Sequence, residues 1–356
     1  MSTFSGRDFA LGVVVGVVAP LLLGSAVVVA VLRASDIYSL GHWKLNVRTP
    51  IKSMWMNLGY WTTPDGEPVE HFDDACLGLL REILQTAGLL PCGTDGTPAT
   101  ESRPPISVLD VGFGCGDQTL ALARLLQPRA ASDFRYVGLT LNASQLQAAS
   151  RAIHDKFPSP SVDGTALDET CFRVFRADAA KPETWSPPIR AAVEELADGR
   201  FDEKWLLALD CLYHFSPSRK PLFRYASETL GANLMAFDLV LDEKAGWRRT
   251  MLVRALGFVL SCPFGTFLTE QQYRRQLVEC GYDADEMTLR DISDDVFSGI
   301  ARYLERQERA LGRYGISIGG YKLTGRVFDW FHASRVVKAV VVVGRTGTKQ
   351  SSGASS

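Results

Sequence analysis

Apolar and polar positions divide the chain into stretches with different periods. Residues 9–32 form one run of 24 residues without a charge, nearly all Val, Leu, Ala and Gly. About 20 apolar residues suffice to cross a hydrocarbon core, so this run predicts a transmembrane helix. A cleaved signal peptide would carry a shorter apolar run behind a basic start, whereas Arg7 is offset by Asp8. From residue 106 to residue 343, short apolar runs alternate with stretches whose apolar residues recur at helical spacing. The runs 106–111, 134–141, 171–176, 205–209, 233–240, 287–292 and 336–343 predict seven strands. Residues 75–87, 144–157, 189–197, 218–230 and 269–280 predict helices before and between them. Such alternation predicts an α/β fold, a mostly parallel sheet with helices on both faces. The tail from residue 344 is rich in Gly, Ser and Thr and is expected to be disordered.

The strand 106–111 follows the breaker pair Pro104-Pro105 and runs into Asp110-Val111-Gly112-Phe113-Gly114-Cys115-Gly116-Asp117-Gln118. Three glycines at alternate positions let the backbone turn sharply and approach a ligand with no Cβ in the way. Leu120, Leu122, Leu125 and Leu126 follow at roughly helical spacing, so the turn delivers a helix N-terminus to that ligand. A dinucleotide fingerprint reads G-x-G-x-x-G, with an acid about 20 residues on for the ribose. Here the order is D-x-G-x-G-x-G, and Thr140 and Asn142 stand where that acid would be. A nicotinamide-dependent oxidoreductase is therefore disfavoured.

The glycine segment resembles motif I of the class I S-adenosylmethionine (SAM) dependent methyltransferases, which implies a Rossmann-like seven-stranded domain over 106–343. Gly138-Leu139-Thr140-Leu141-Asn142-Ala143-Ser144-Gln145 resembles the G-[IVL]-T-[IL]-S-x-x-Q pattern of the sterol/tocopherol methyltransferase and cyclopropane fatty acid synthase group, with Asn142 in place of Ser. The resemblance implies SAM as cofactor, held by Asp110, Gly112, Gly114, Gly116, Gln118, Thr140, Asn142 and Gln145, the Gln145 amide taking the ribose contact. A plain reading of the same residues makes Ser144 a helix N-cap and Gln145 solvent-facing. Asp178 and Ala179 match the position that meets the adenine, and Asp178 is otherwise a turn residue. Tyr60 in Gly59-Tyr60-Trp61 matches a tyrosine that closes over the cofactor carboxylate; its other reading is an aromatic at a membrane interface. Asp210 in Asp210-Cys211-Leu212-Tyr213-His214 is expected near the cofactor, with His214 as general base and Tyr213 positioning the acceptor. Cyclopropane synthases carry Glu-His where Tyr213-His214 stands, so plain methyl transfer is expected rather than cyclopropanation.

Residues 33–105 read as a juxtamembrane segment, a cap helix and a linker. Residues 241–268 and 293–331 read as a substrate cover, and Trp247-Arg248-Arg249 opens either an interfacial helix or a buried lid. Net charge is −2 with 22% charged residues, which gives no call to nucleic acid. Seven scattered cysteines without a C-x-x-C pair, and histidines without ligand spacing, predict neither disulfides nor a metal site. Arg33, Lys44, Arg48 and Lys52 follow the apolar run, which predicts a single-pass protein with its body facing the cytosol, at the endoplasmic reticulum. The expected acceptor is a lipophilic small molecule such as a lipid, sterol-like or prenylated metabolite. Two alternatives remain: a phosphobase-type N-methyltransferase, suggested by the spacing of Asp210 and His214, and a non-catalytic membrane scaffold on the same fold.

Overall fold

The computed structural model describes residues 16, 24–25, 53–91, 104–158, 167–313 and 316–347. The apolar run 9–32 and the tail beyond residue 347 lie outside the described residues, apart from positions 16, 24 and 25. Among the described residues no helix is long and apolar enough to cross a membrane.

Seven strands form one sheet: β1 (Ile106–Val111), β2 (Phe134–Thr140), β3 (Phe172–Arg176), β4 (Glu203–Leu209), β5 (Asn233–Leu241), β6 (Tyr282–Asp291) and β7 (Val337–Thr346). Their order is β3-β2-β1-β4-β5-β7-β6, with β7 antiparallel to both neighbours and the other pairs parallel. The central strands are buried on both faces, which is why they read as unbroken apolar runs: every residue of β1 is buried. The edge strand β6 buries only Tyr282 and Met287. β7 runs to Thr346, pairing Gly344 with Leu234 and Thr346 with Tyr282, so residues 344–346 belong to the sheet and not to a disordered tail.

Among the described residues, nine α-helices flank the sheet: α1 (Phe72–Thr86), α2 (Asp117–Leu126), α3 (Ala143–Lys156), α4 (Pro187–Glu194), α5 (Lys220–Arg224), α6 (Trp247–Val259), α7 (Glu270–Val278), α8 (Ser293–Gly312) and α9 (Tyr321–Ser334). One face is packed by α1, α2, α3, α8 and α9 through Leu80, Leu122, Ile153, Phe297 and Phe328. The other is packed by α4, α5 and α7 through Val193, Phe223 and Leu277. The expected helix 218–230 is shorter in its α-helical part, since Tyr225–Thr229 continues α5 as a π-turn.

The segment 53–62 departs from expectation. Trp55 and Trp61 are buried in the core, as is Phe72 at the start of the first helix, so this part of the expected juxtamembrane segment packs into the domain. Trp61 packs 5.1 Å from the Tyr303 ring and donates its indole N–H to the Leu58 carbonyl at 2.8 Å. Its backbone N–H donates to the Asp295 carbonyl at 2.7 Å, and Thr62 Oγ1 donates to the Asp295 carboxylate at 2.6 Å. This strap is thus seated on α8, at the one place where α8 has Gly299. A Cβ on Gly299 would lie 2.1 Å from Trp61 Cγ. In an open helix, Gly→Ala gains about 0.5–1 kcal/mol. Overpacking a ring against a backbone costs about 1–3 kcal/mol and wins here. Gly299→Ala is therefore expected to lower the urea midpoint of unfolding, and an unchanged or raised midpoint would show the strap is not seated on α8.

Candidate functional site

Strand order reverses between β1 and β4, and in open α/β sheets the ligand crevice lies at the carboxyl ends of the strands flanking that point. The glycine turn leaves β1 there. Gly112, Gly114 and Gly116 have φ of 78°, 67° and 101°, a left-handed conformation that side chains resist. Each glycine answers to a different neighbour. A Cβ on Gly112 would meet Cys211 Cβ at 2.9 Å, so this glycine lets β1 and β4 close up. On Gly116 it would meet the Ala149 backbone at 3.0 Å, so this one lets α2 and α3 approach. At Gly114 it would meet nothing within 4 Å. That position borders open space, and Gly116 brings no capping side chain to the first turn of α2. Such a helix start suits an anionic or polar group.

Beneath the turn lies Asp110, wholly buried. Gln118 Nε2 donates to both its oxygens at 2.8 and 2.9 Å, and Tyr136 Oη donates to Oδ2 at 2.9 Å. Thr119 Oγ1 lies 2.8 Å from the same Tyr136 oxygen. Burial pushes the Asp110 carboxyl up to about 7, against the pull of the Tyr136 and Gln118 hydrogen bonds. Asp110 and Gln118, both expected at the cofactor, form with Tyr136 a brace that ties β1, β2 and α2 together under the turn.

At the end of β2, Thr140 Oγ1 donates to Gln145 Oε1 at 2.8 Å. Asn142, not Ser144, is the N-cap of α3, its Oδ1 accepting the N–H groups of Ser144 and Gln145 at 2.9 and 3.2 Å. Gln145 is buried rather than solvent-facing. Leu141, between these residues, is 65% exposed and offers a flat apolar surface at the strand end. Periodicity alone reads it as one more strand residue. At the end of β3, Asp178 Oδ1 accepts the Ala180 N–H at 3.0 Å, and Oδ2 pairs with Lys181 at 3.1 Å. Ala179 is buried beside it. Asp178 thus does fill a turn-capping role, at the edge of the same line of strand ends.

Asp210 leaves β4 with φ of 62°, a strained conformation for a side-chain-bearing residue. Tyr213 Oη donates to its Oδ1 at 2.5 Å, and the Leu58 N–H of the strap also donates to the carboxylate. Burial raises the Asp210 carboxyl to about 7. The His214 ring packs tilted against Tyr213, with ring centres 4.5 Å apart. Its Nδ1 lies 3.3 Å from the Ser261 carbonyl, which can only accept, so Nδ1 carries the proton and Nε2 the lone pair. Burial lowers its pKa to about 4, so the ring stays neutral near pH 7.

Tyr60 is not part of this assembly. Its hydroxyl bonds Asp295, near Glu82 and Arg290, and burial raises it to about 12. The strap meets the site through its neighbours instead: Met54 N–H donates to Asp117 Oδ2 at 3.1 Å, and Met56, Asn57 and Leu58 line a cavity. That cavity holds about 130 Å³ and has Asp210, Tyr213, His214 and Leu239 on its strand side. Its roof is Leu256 and Leu260 of α6, Cys262 and Phe267 after it, and Ile300, Leu304, Tyr321, Thr324 and Phe328 of α8 and α9. Both expected covers, 241–268 and 293–331, therefore reach the site. Among the described residues no lysine or arginine lines it. Asn57 and Phe267 escaped sequence reading because nothing in their spacing separates them from ordinary loop and core residues.

No protein-family profile and no curated protein matches the sequence. Solved structures do match over nearly the whole chain. The [4+2]-cyclase SpnF is 17% identical, with 88% of this chain and 96% of that one covered at a TM-score of 0.55. The cyclopropane synthase MmaA2 from Mycobacterium tuberculosis is 15% identical, with 86% and 95% covered and a TM-score of 0.55. A geranyl diphosphate C-methyltransferase from Streptomyces coelicolor is 14% identical, with 88% and 99% covered and a TM-score of 0.50. The chain shares the Rossmann-like α/β fold of these three proteins.

Proposed function

We propose that this protein is a SAM-dependent methyltransferase acting on a neutral, lipophilic small molecule. The observation that carries the reading is one juxtaposition: the glycine turn, packed on Cys211 through Gly112, and the largely apolar cavity lined by Asp210, Tyr213 and His214 adjoin at the end of β4. Gly112, Gly114 and Gly116 would seat the methionine part of SAM, with Thr140, Asn142 and Gln145 beside the ribose. Leu141 would lie against the adenine, with Asp178 and Ala179 at its edge. Bound SAM supplies an electrophilic methyl on a sulfonium, and displacement requires the acceptor to lie in line behind it. The strap and the cover helices hold the acceptor and exclude water. Tyr213, bonded to Asp210, fixes the floor of the cavity. The Nε2 lone pair of His214 takes the proton that an oxygen or nitrogen acceptor loses as the methyl arrives.

One structural neighbour is named for methylating geranyl diphosphate, a molecule with a prenyl chain, and that chain, not its diphosphate, is the feature that supports a lipophilic acceptor. A phosphorylated acceptor is disfavoured, because among the described residues no cationic side chain lines the cavity to meet a phosphate. This weighs against the phosphobase reading, although a phosphoethanolamine N-methyltransferase from Haemonchus contortus shares the fold at 12% identity and a TM-score of 0.50. The uncharged run 9–32 fits this acceptor chemistry as a single-pass anchor that keeps the domain on the cytosolic side of a membrane, at the endoplasmic reticulum.

The full chain, incubated with lipid extract and methyl-labelled SAM, is expected to place label in an organic-soluble product. His214→Asn, whose amide can still reach the Ser261 carbonyl, should slow that transfer by about 10²-fold or more. A folded protein that labels nothing, or a variant as fast as the parent, would contradict the assignment. Asp210 gives a second expectation. Its carboxyl is about 7 in the fold against about 4 in an unfolded chain. The unfolded chain thus gives up that proton first, and stability tied to Asp210 is full below pH 4 and lost as pH rises to 7. Relative to Asp210→Asn, the parent should therefore lose stability across that window, by at most about 4 kcal/mol. Denaturant midpoints that keep a constant gap between the two proteins would rule this out.

A further inference from the structure

Nine large apolar side chains are exposed among the described residues, and seven of them lie on the two segments that roof the cavity, 247–264 and 316–323. α6 is the centre of this patch. Eight of its thirteen residues are apolar, yet only Val253 and Gly257 are buried. Its inner side gives Leu256 and Leu260 to the cavity. Its outer side gives Trp247, Met251 and Phe258, which fall on one helical stripe, while the exposed Leu252 lies between that stripe and the cavity side. Trp247 is 72% exposed. A helix apolar on both sides is at home only where both sides are covered.

We infer that the outer face of α6, together with Phe264 and the start of α9, docks into the headgroup region of an anionic lipid bilayer, so that the acceptor enters the cavity from the membrane. Three observations choose a bilayer as the occupant. Arg248 and Arg249 are exposed in the first turn of α6, and the Arg248 guanidinium lies over the Trp247 ring, 5.5 Å from its centre. A basic helix end beside Trp, Leu and Phe is the composition of an interfacial helix, and the arginines suit lipid phosphates. The chain outside the described body also ends in the right place. The apolar run ends at residue 32, and the described body begins again at Ser53, three residues before Met56 enters the cavity lining. A linker of about 20 residues reaches at most about 70 Å, so a bilayer holding that run is within range of α6. The inference shares the lipophilic cavity with the proposed function, but its test does not require methyl transfer.

Full-length protein is reconstituted into vesicles of phosphatidylcholine with phosphatidylserine, with and without brominated lipid, and tryptophan emission is read for the parent and for Trp247→Phe. Both proteins retain the remaining six tryptophans, so their difference isolates Trp247. Docking predicts that brominated lipid quenches the parent more than the variant, and that Trp247 emission shifts to the blue. That excess quenching should shrink in pure phosphatidylcholine, and also in Arg248→Gln/Arg249→Gln on the anionic vesicles. Equal quenching of parent and Trp247→Phe overturns the inference, whether a second copy or the run 9–32 covers the patch instead. Quenching indifferent to both the anionic lipid and the two arginines overturns the anionic bilayer as partner. Loss of methyl transfer with Trp247 quenching intact would count against the proposed function and leave the docking face standing.

Discussion

A carboxylate buried without a cation is the constraint on which the site is built. Asp110 sits in the middle strand of the parallel run, and the donors that meet it among the described residues are neutral: the Gln118 amide and the Tyr136 hydroxyl. Each comes from a different element, so satisfying one side chain fixes α2 and β2 relative to β1. An unsatisfied buried polar group costs about 1–3 kcal/mol, and more when charged. Loosening any member therefore leaves another exposed to that penalty. The glycine turn above is held by this brace on one side and by Cys211 and Ala149 on the others. Of its three glycines, only Gly114 borders space that the protein leaves open.

A second layer of the design joins the turn to the cavity. The strap 53–62 bonds both halves at once, through Met54 to Asp117 after the glycine turn and through Leu58 to Asp210 at the cavity floor. Its own seat is Trp61 against Gly299 of α8. A shift of α8 is thereby a shift of the strap, and with it of Asn57 and Leu58 in the cavity lining. Asp210 is the hinge point of the arrangement: left-handed backbone, raised carboxyl and contact with Tyr213 all fall on one residue. Such strain persists only where the surroundings over-determine it.

The sheet was legible in the sequence because its central strands are buried on both faces and so read as continuous apolar runs. The glycine turn was legible because only glycine adopts its backbone without strain. What could not be read was the direction in which each polar side chain turns. Gln118 follows the turn and looks like a ligand contact, but one helical turn brings it back over Asp110. Tyr60 and Trp61 are adjacent and both aromatic, yet one bonds Asp295 near Glu82 and the other packs on Tyr303. Asn142, read as a ligand residue from its position, also turns its Oδ1 to the first N–H groups of α3, a cap that position alone did not reveal. Leu141 gave no signal, because an apolar residue at a strand end is unremarkable until its exposure is known. The apolar outer face of α6 was also beyond pattern reading: a helix apolar all round has no periodic signal that tells a lid from an interface.

Calorimetric titration of SAM into the full-length protein tests the central claim most directly, with Gly114→Asn as the comparison and NADH as the decoy. Asparagine tolerates the left-handed backbone better than other side chains, and at this position it meets no protein atom close by. It therefore fills the proposed ligand path while sparing the fold. The account predicts saturable heat for SAM with the parent, none for NADH, and loss of the SAM signal in a Gly114→Asn protein that still unfolds cooperatively. A folded parent that binds no SAM, or a variant that binds it equally well, would contradict it.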